Sequence, residues 1–264
     1  MSEIKEIVKY DNVLNEVSFK NFTENDFNLF MSICAKMRDM NDEIQVFAYD
    51  ELMEIVNWDK HQSIITFHTE IQRVAKKLLE LNSLISISPT HFVCFNLFST
   101  FSGNYEKRQL TVRVNPDFAY ILNGLTKNFT AFELKEYIRL KGRYSKQLYQ
   151  NLKQFKNSGW WQVSVDDFRH KMSIPDSMAT RNIQFKVILP SIKEVSVSES
   201  FKDLKFEIIK ENAKGTAIIG YKFTWTVFDK EFPENNQPKT SKFNDFKQNI
   251  YDFDELESVL LSNK

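Results

Sequence analysis

The chain of 264 residues has few of the features that mark an oxidising compartment, a membrane or a metal. Its two cysteines, Cys34 and Cys94, both lie in apolar stretches, which reads as two buried free thiols in a reducing compartment and excludes a disulfide framework. Those thiols and the four histidines (His61, His68, His91 and His170) lack ligand-like spacing, so neither metal nor cofactor is expected. No apolar run reaches the roughly 18 residues that a spanning helix needs. The N-terminus, Met1-Ser2-Glu3-Ile4-Lys5-Glu6, has no apolar segment behind a basic one, so no signal peptide is expected and the chain reads as cytoplasmic. Six glycines and six prolines are few, which implies short connections and helix-rich content.

Phenylalanine, by contrast, is abundant at 24, and those rings need aromatic-rich cores to bury them. The formal net charge of zero hides a division. Residues 1–125 carry 12 Lys and Arg against 17 Asp and Glu, and residues 229–264 carry 5 against 8. Residues 126–228 carry 18 against 10, a net of +8, which is the electrostatic footprint of a protein that meets a polyanion.

Two segments open alike: Asn21-Phe22-Thr23 and Asn128-Phe129-Thr130. In each, the threonine can cap a helix, with the phenylalanine before it stapled to apolar residues about four later. Phe27, Phe30, Ile33, Cys34 and Met37 then recur at helical spacing in the first copy, and Leu134, Ile138 and Leu140 in the second. The first copy continues with a short strand at 44–47, a short helix at 49–56 and a long helix at about 61–81 carrying Ile64, Phe67, Ile71, Val74 and Leu78 on one face. Strands at 84–88, 92–100 and 109–114 follow, with a hairpin turn at Ser102-Gly103-Asn104. The second copy runs helix 143–155, strand 160–163, short helix 165–172, long helix 178–195, then strands 205–210 and 217–226 across a Lys214-Gly215 turn. A helix starting at Asn115-Pro116-Asp117 and ending near Leu125 bridges the copies. Helix, strand, helix, long helix, hairpin is the order of a winged helix. The expected fold is therefore α+β: two tandem winged-helix domains, 1–125 and 126–228, followed by a tail at 229–264. That tail places Phe243, Phe246, Ile250, Phe253, Leu256, Val259 and Leu260 at helical steps among acidic residues, behind a linker from Pro233 to Pro238.

In a winged helix the long third helix enters the major groove, and the hairpin reaches the flanking backbone. On that helix of the second copy, Phe185, Ile188, Leu189 and Ile192 fit a core stripe. Thr180, Arg181, Asn182, Gln184 and Lys186 gather at its N-terminal half as a base-reading set, since Arg pairs with guanine and Asn or Gln with adenine. Lys141, Arg143, Tyr144, Ser145 and Lys146 crowd one helix start, a combination that suits phosphate. Lys214 sits at the tip of the wing. In the first copy Lys60, His61, Gln62, Ser63, Thr66, Arg73, Lys76 and Lys77 offer a less basic counterpart, of which Gln62, Ser63, Thr66 and Arg73 are the candidate contacts.

Val8-Lys9-Tyr10-Asp11-Asn12-Val13-Leu14-Asn15 resembles the N-terminal signature of the iteron-binding replication initiators of theta-replicating plasmids. So do Phe129-Thr130 leading into Leu140-Lys141-Gly142-Arg143-Tyr144-Ser145-Lys146-Gln147-Leu148-Tyr149, and the phrase from Phe185 to Glu194, which the family uses as its second recognition helix. The likeness covers about residues 5–227. It implies two winged-helix domains that bind double-stranded direct repeats at an origin as monomers and repress their own promoter as homodimers, held mainly through the first domain. It further implies melting of an AT-rich stretch, recruitment of a host initiator and helicase, and no catalysis. A nicking initiator would use a tyrosine nucleophile with paired histidines, and no His-x-His pair exists here. A tandem winged-helix transcriptional regulator is the other reading, because groove recognition is the same event in both jobs.

Overall fold

The computed structural model describes residues 7–227, apart from Asn57, Lys60, Pro89 and residues 212–216. The tail expected at 229–264 and the Lys214-Gly215 turn lie outside the described residues. The chain opens with β1 (Ile7–Asp11) and one 3-10 turn (Asn12–Glu16). The first module follows: α1 (Glu24–Met37), β2 (Gln45–Ala48), α2 (Tyr49–Ile55), α3 (Ile64–Leu79), β3 (Asn82–Ser88), β4 (His91–Asn96), β5 (Phe98–Asn104) and β6 (Gln109–Val114). A single turn, α4 (Pro116–Ala119), then leads to β7 (Phe129–Glu133) and α5 (Leu134–Ile138). The second module is α6 (Arg143–Gln154), β8 (Trp160–Ser164), α7 (Val165–Lys171), a long helix made of α8 (Thr180–Ile183), a π turn (Gln184–Ile188) and α9 (Leu189–Val195), then β9 (Lys205–Lys210) and β10 (Ile218–Thr224).

The two modules repeat each other in three dimensions. Each has a three-stranded antiparallel sheet, ordered β2-β6-β5 in the first and β8-β10-β9 in the second. Each sheet backs a helical layer in the sequence helix, short helix, long helix, so the fold is two tandem winged helices. At the middle of the second sheet the backbone of Gly220 comes so close to the Val163 carbonyl that a Cβ would sit 2.6 Å from its oxygen.

Helix α1 forms where its sequence predicts. Thr23 and Asp26 make a reciprocal capping box, Thr23 Oγ1 accepting from the Asp26 amide at 3.3 Å and Asp26 Oδ2 from the Thr23 amide at 2.8 Å. Phe22 before the cap packs on Phe27 at 5.3 Å, and Phe27, Phe30, Ile33, Cys34 and Met37 are all buried. Phe67, Ile71, Val74 and Leu78 line the inner face of α3.

Other expectations are corrected. Thr130 caps nothing: it lies in β7, buried, donating to Asn12 Oδ1 at 2.8 Å. Phe129, Thr130, Ala131 and Phe132 are all buried, in a strand covered on both faces whose partner, β1, lies about 120 residues earlier in an antiparallel register from Ile7↔Glu133 to Asp11↔Phe129. What the two Asn-Phe-Thr phrases share is an asparagine in the left-handed region (φ 61° at Asn21, 53° at Asn128). The strand expected at 92–100 breaks at Leu97, whose amide bonds the Leu81 carbonyl while its own carbonyl accepts from Asn115. Ser102, Gly103 and Asn104 belong to β5, and the turn falls after them. The bridging helix is one turn long. Cys94 is exposed, so only Cys34 is the buried thiol expected of both.

The halves share one apolar core. Tyr10 meets Phe132 at 6.1 Å, Phe132 meets Tyr149 at 5.4 Å, Tyr149 meets Phe201 at 5.8 Å and Phe201 meets Trp225 at 5.4 Å, a run of edge-on rings from β1 to the end of the second sheet. Polar pairs cross the same seam. Asn15 donates to Thr130 Oγ1 and Gln154 Oε1, both at 3.0 Å, and Ser173 Oγ accepts from the Phe19 amide at 3.0 Å. A cut between residues 125 and 126 therefore parts β1 from β7.

One buried carboxylate ties α1 to α3. Asp26 is fully buried and accepts from Arg73 at 2.6 Å and Lys77 at 2.7 Å. Burial works to raise its pKa, but hydrogen bonds from Lys77, the Thr23 amide and Arg73 outweigh it and hold the group below its ordinary value. Its stabilisation is thus present at neutral pH and is lost as pH falls through that lowered pKa. Asp26→Asn is expected to cost roughly 2–4 kcal/mol at neutral pH, because it leaves two cations without their buried partner. Urea denaturation should show that deficit shrinking as pH falls below about 4, where the unfolded chain's carboxylate takes up its proton, and vanishing only below the lowered pKa of the folded state.

Candidate nucleic-acid interface

The long helix of the second module owes its shape to Pro190. In an α-helix this residue would offer no amide to the Lys186 carbonyl, and its ring would press on that oxygen. The chain widens into a π turn instead, and the Leu189 amide reaches the Gln184 carbonyl, five residues back. Ile183, Val187, Ile188, Ser191 and Val195 all face inward. Phe185 and Leu189, expected in the core stripe, are exposed, 66% and 41%, on the opposite face. Ile188 is buried as expected, and Ile192 packs against the core in part.

The outward face then carries Arg181, Phe185, Lys186, Leu189, Pro190 and Lys193, with Asn182 and Gln184 half-buried beside them. Arg181, Lys186 and Lys193 hold no ion pair to any described residue. Arg169 of α7 fixes where this helix starts. Its guanidinium donates to the Met178 carbonyl at 2.6 Å, to the Pro175 carbonyl at 3.3 Å and to Thr180 Oγ1 at 3.2 Å. Thr180 is thus part of the support under the helix end. The adjoining wing presents exposed Lys205 and Lys210 on β9. Lys193, Lys205 and Lys210 were not among the sequence candidates, and only the net charge of the block pointed to them.

The basic cluster at the start of α6 has a different place from the one expected. The anion at that helix end is the chain's own Glu194, from α9, whose Oε2 accepts from the amides of Lys141 (2.8 Å) and Gly142 (3.0 Å). Gly142 leaves room for this contact, since a Cβ there would lie 2.8 Å from Ser145 Oγ and 3.2 Å from Glu194 Oε1. Ser145 is buried. Arg143 donates to the Ser173 carbonyl at 2.9 Å and lies 4.6 Å from the ring of half-buried Tyr144. Lys141 alone of the five reaches well into solvent, with Glu24 at 3.4 Å.

Lys146 is the clearest correction: it is 0% exposed. Its Nζ donates to Asn28 Oδ1 on α1 at 2.7 Å and to the Tyr137 carbonyl at 2.9 Å, above the Tyr137 ring. Desolvation pulls its pKa down to about 7. A cation placed there cannot meet phosphate; it joins the first module to the second.

In the first module, Gln62, Ser63 and Thr66 are exposed at the start of α3, where Ser63 caps the helix by accepting from the Thr66 amide at 3.3 Å. A shallow groove runs beside them, lined by Trp58, Gln62, Ile65, Thr66, Thr69 and Glu70. Arg73 is committed to Asp26 at 2.6 Å and to Glu70 at 2.5 Å, and is not available there. Lys60, like Lys214, is outside the described residues. Among the described residues no group of His, Cys, Asp and Glu is placed to hold a metal, and no helix is long and apolar enough to cross a membrane.

Comparison with known proteins agrees with this architecture. The model of the Initiator Replication protein WH1 domain matches residues 7–153, and that of the Initiator Rep protein WH2 domain matches residues 164–225. The chain belongs to the initiator replication protein family. The first match includes β7, α5 and α6, the elements that pair and pack with β1 and α1. A probable replication protein of Bifidobacterium longum (strain NCC 2705) is 31% identical over 191 residues, which cover 72% of this chain but only 64% of that relative. The crystal structure of the Pi initiator protein in complex with iteron DNA shares the fold, with a TM-score of 0.61 at 15% identity over 83% of this chain and 96% of that one.

The depressed pKa of Lys146 carries a testable sign. Between about pH 7 and the ordinary lysine range near 10 the unfolded chain holds this proton and the folded one does not, so the group adds stability as pH rises through that window. Lys146→Met removes the dependence. Urea denaturation at stepped pH should show the wild type gaining on the variant from about pH 7 upward, with the variant relatively most stable in the acidic range.

Proposed function

We propose that this protein initiates plasmid replication by binding direct repeats in double-stranded origin DNA. The observation that carries the reading is the outward face of the α8–α9 helix: arginine, lysine and amide side chains without partners among the described residues, on the element that a winged helix inserts into the major groove. Membership of the initiator family and the shared fold with a protein crystallised on iteron DNA support it.

Arg181, Asn182, Gln184 and Lys186 read bases. Lys193, with Lys205 and Lys210 of the wing, meets flanking phosphates, and Lys141 lies at the margin. Gln62, Ser63 and Thr66 of α3 make the lesser contact of the first module. The protein binds its repeats as a monomer, helps open the origin, recruits the host initiator and helicase, and represses its own promoter as a dimer joined through the first module. It carries out no catalysis of its own.

The decisive experiment joins the gene and its upstream DNA to a replicon lacking an origin; autonomous replication is the expected outcome. Sequence-specific binding without replication would leave a regulator that only occupies its promoter. At the level of residues, Arg181→Ala should cost roughly 1–3 kcal/mol on the repeat and much less on random DNA, because it deletes a bidentate base contact. Arg143→Ala, which unties the Ser173 carbonyl, should lower the melting temperature and leave the salt dependence of binding unchanged. Titrations at several salt concentrations separate the two.

A further inference from the structure

We infer that Phe185, with Leu189 as its neighbour one turn on, is a specificity-determining residue that packs against the 5-methyl group of thymine in the bound repeat. The inference rests on the DNA-binding reading above. It starts from an anomaly: an aromatic ring left 66% exposed near the middle of a helix whose other face is fully buried. The exposure is built in. Ile183, Val187, Ile188, Ser191 and Val195 commit one face of the helix to the core, which leaves positions 185 and 189 pointing away from it.

The surroundings decide what the ring can meet. Arg181 lies one turn before it, Lys186 beside it and Lys193 two turns after it, all exposed and without carboxylate partners among the described residues. An apolar spot framed by cations suits a surface that is apolar at its centre and anionic along its edges. The major groove at a thymine is such a surface, with a methyl group on its floor and phosphates on both rims. An aromatic or aliphatic side chain on that methyl distinguishes thymine from cytosine without a hydrogen bond. The first module also leaves an apolar side chain outward on its long helix, there among neutral polar residues and Glu70, with no free cation among the described residues that line the groove. Ile65, 51% exposed, stands on the outer face of α3 between Gln62 and Thr69, beside Thr66.

The test alters the DNA before the protein. A duplex selected by the full chain from a randomised pool is remade with each thymine in turn replaced by deoxyuridine, which deletes only the methyl. At one or two positions the wild-type protein should lose about fourfold in affinity, the value of one buried methyl-sized group. Phe185→Ala should bind the unmodified duplex correspondingly weakly and show no further loss at those same positions, while its melting temperature stays that of the wild type, since the ring is exposed. Wild-type binding indifferent to every deoxyuridine overturns the inference, and so does a Phe185→Ala protein that remains as sensitive as the wild type. If the full chain selects no sequence from the pool at all, it is the DNA-binding reading that fails instead.

Discussion

A lysine ammonium in the interior has to be answered by oxygen, and Lys146 finds its answer on both sides of a seam. One acceptor, Asn28, belongs to the first module and the other, the Tyr137 carbonyl, to the segment leading into the second. The same demand recurs along the seam, where Asn15, Thr130 and Gln154 satisfy one another. Apolar surfaces can slide past each other at small cost, but unpaired buried polar groups cannot. The seam therefore fixes how the two modules sit, and with them the relative placement of α3 and the α8–α9 helix, the two elements that would enter successive stretches of groove.

Much of the architecture is readable without coordinates because it is local. Thr23 with Asp26 announces a helix start through hydrogen bonds that span three residues, and the stripe of Phe67, Ile71, Val74 and Leu78 is a statement about one helix. What escapes the sequence is set by distant partners. Nothing near Phe129 tells that Ile7–Asp11 will lie beside it, so a strand residue looks like a cap. Nothing near Arg143 tells that Glu194 will occupy the helix end, so a segment packed by its neighbours looks like a phosphate cradle. The π turn has a local cause in Pro190, yet a proline can end a helix, kink it or widen it, and only the core decides among these and which face of the helix is buried.

Charge counting singled out residues 126–228 but overstated their cationic surface. Of the cations in residues 126–228, Lys146 is buried, Lys153 faces Glu136 at 3.3 Å inside the fold, and Lys171 bonds Glu16 of the opposite half. Arg143 and Arg169 hold backbone carbonyls. Those left at the surface without an ion pair among the described residues include Arg181, Lys186 and Lys193 on one helix and Lys210 on β9, where exposed Lys205 acts electrostatically on Asp203. Much of the basic excess in the sequence is thus structural reinforcement, and only part of it is free cationic surface.

The π turn makes the α8–α9 helix one residue longer than its axial span would demand of an α-helix. The π turn absorbs that surplus residue locally, so Ile183 before it and Ser191 and Val195 after it face the core together. Deleting one residue between 184 and 188 would remove the surplus and leave both ends facing the core, but it would re-aim the side chains within the turn, with composition and net charge almost unchanged. The number of residues in the turn thus decides which side chains it presents outward as firmly as their identity does.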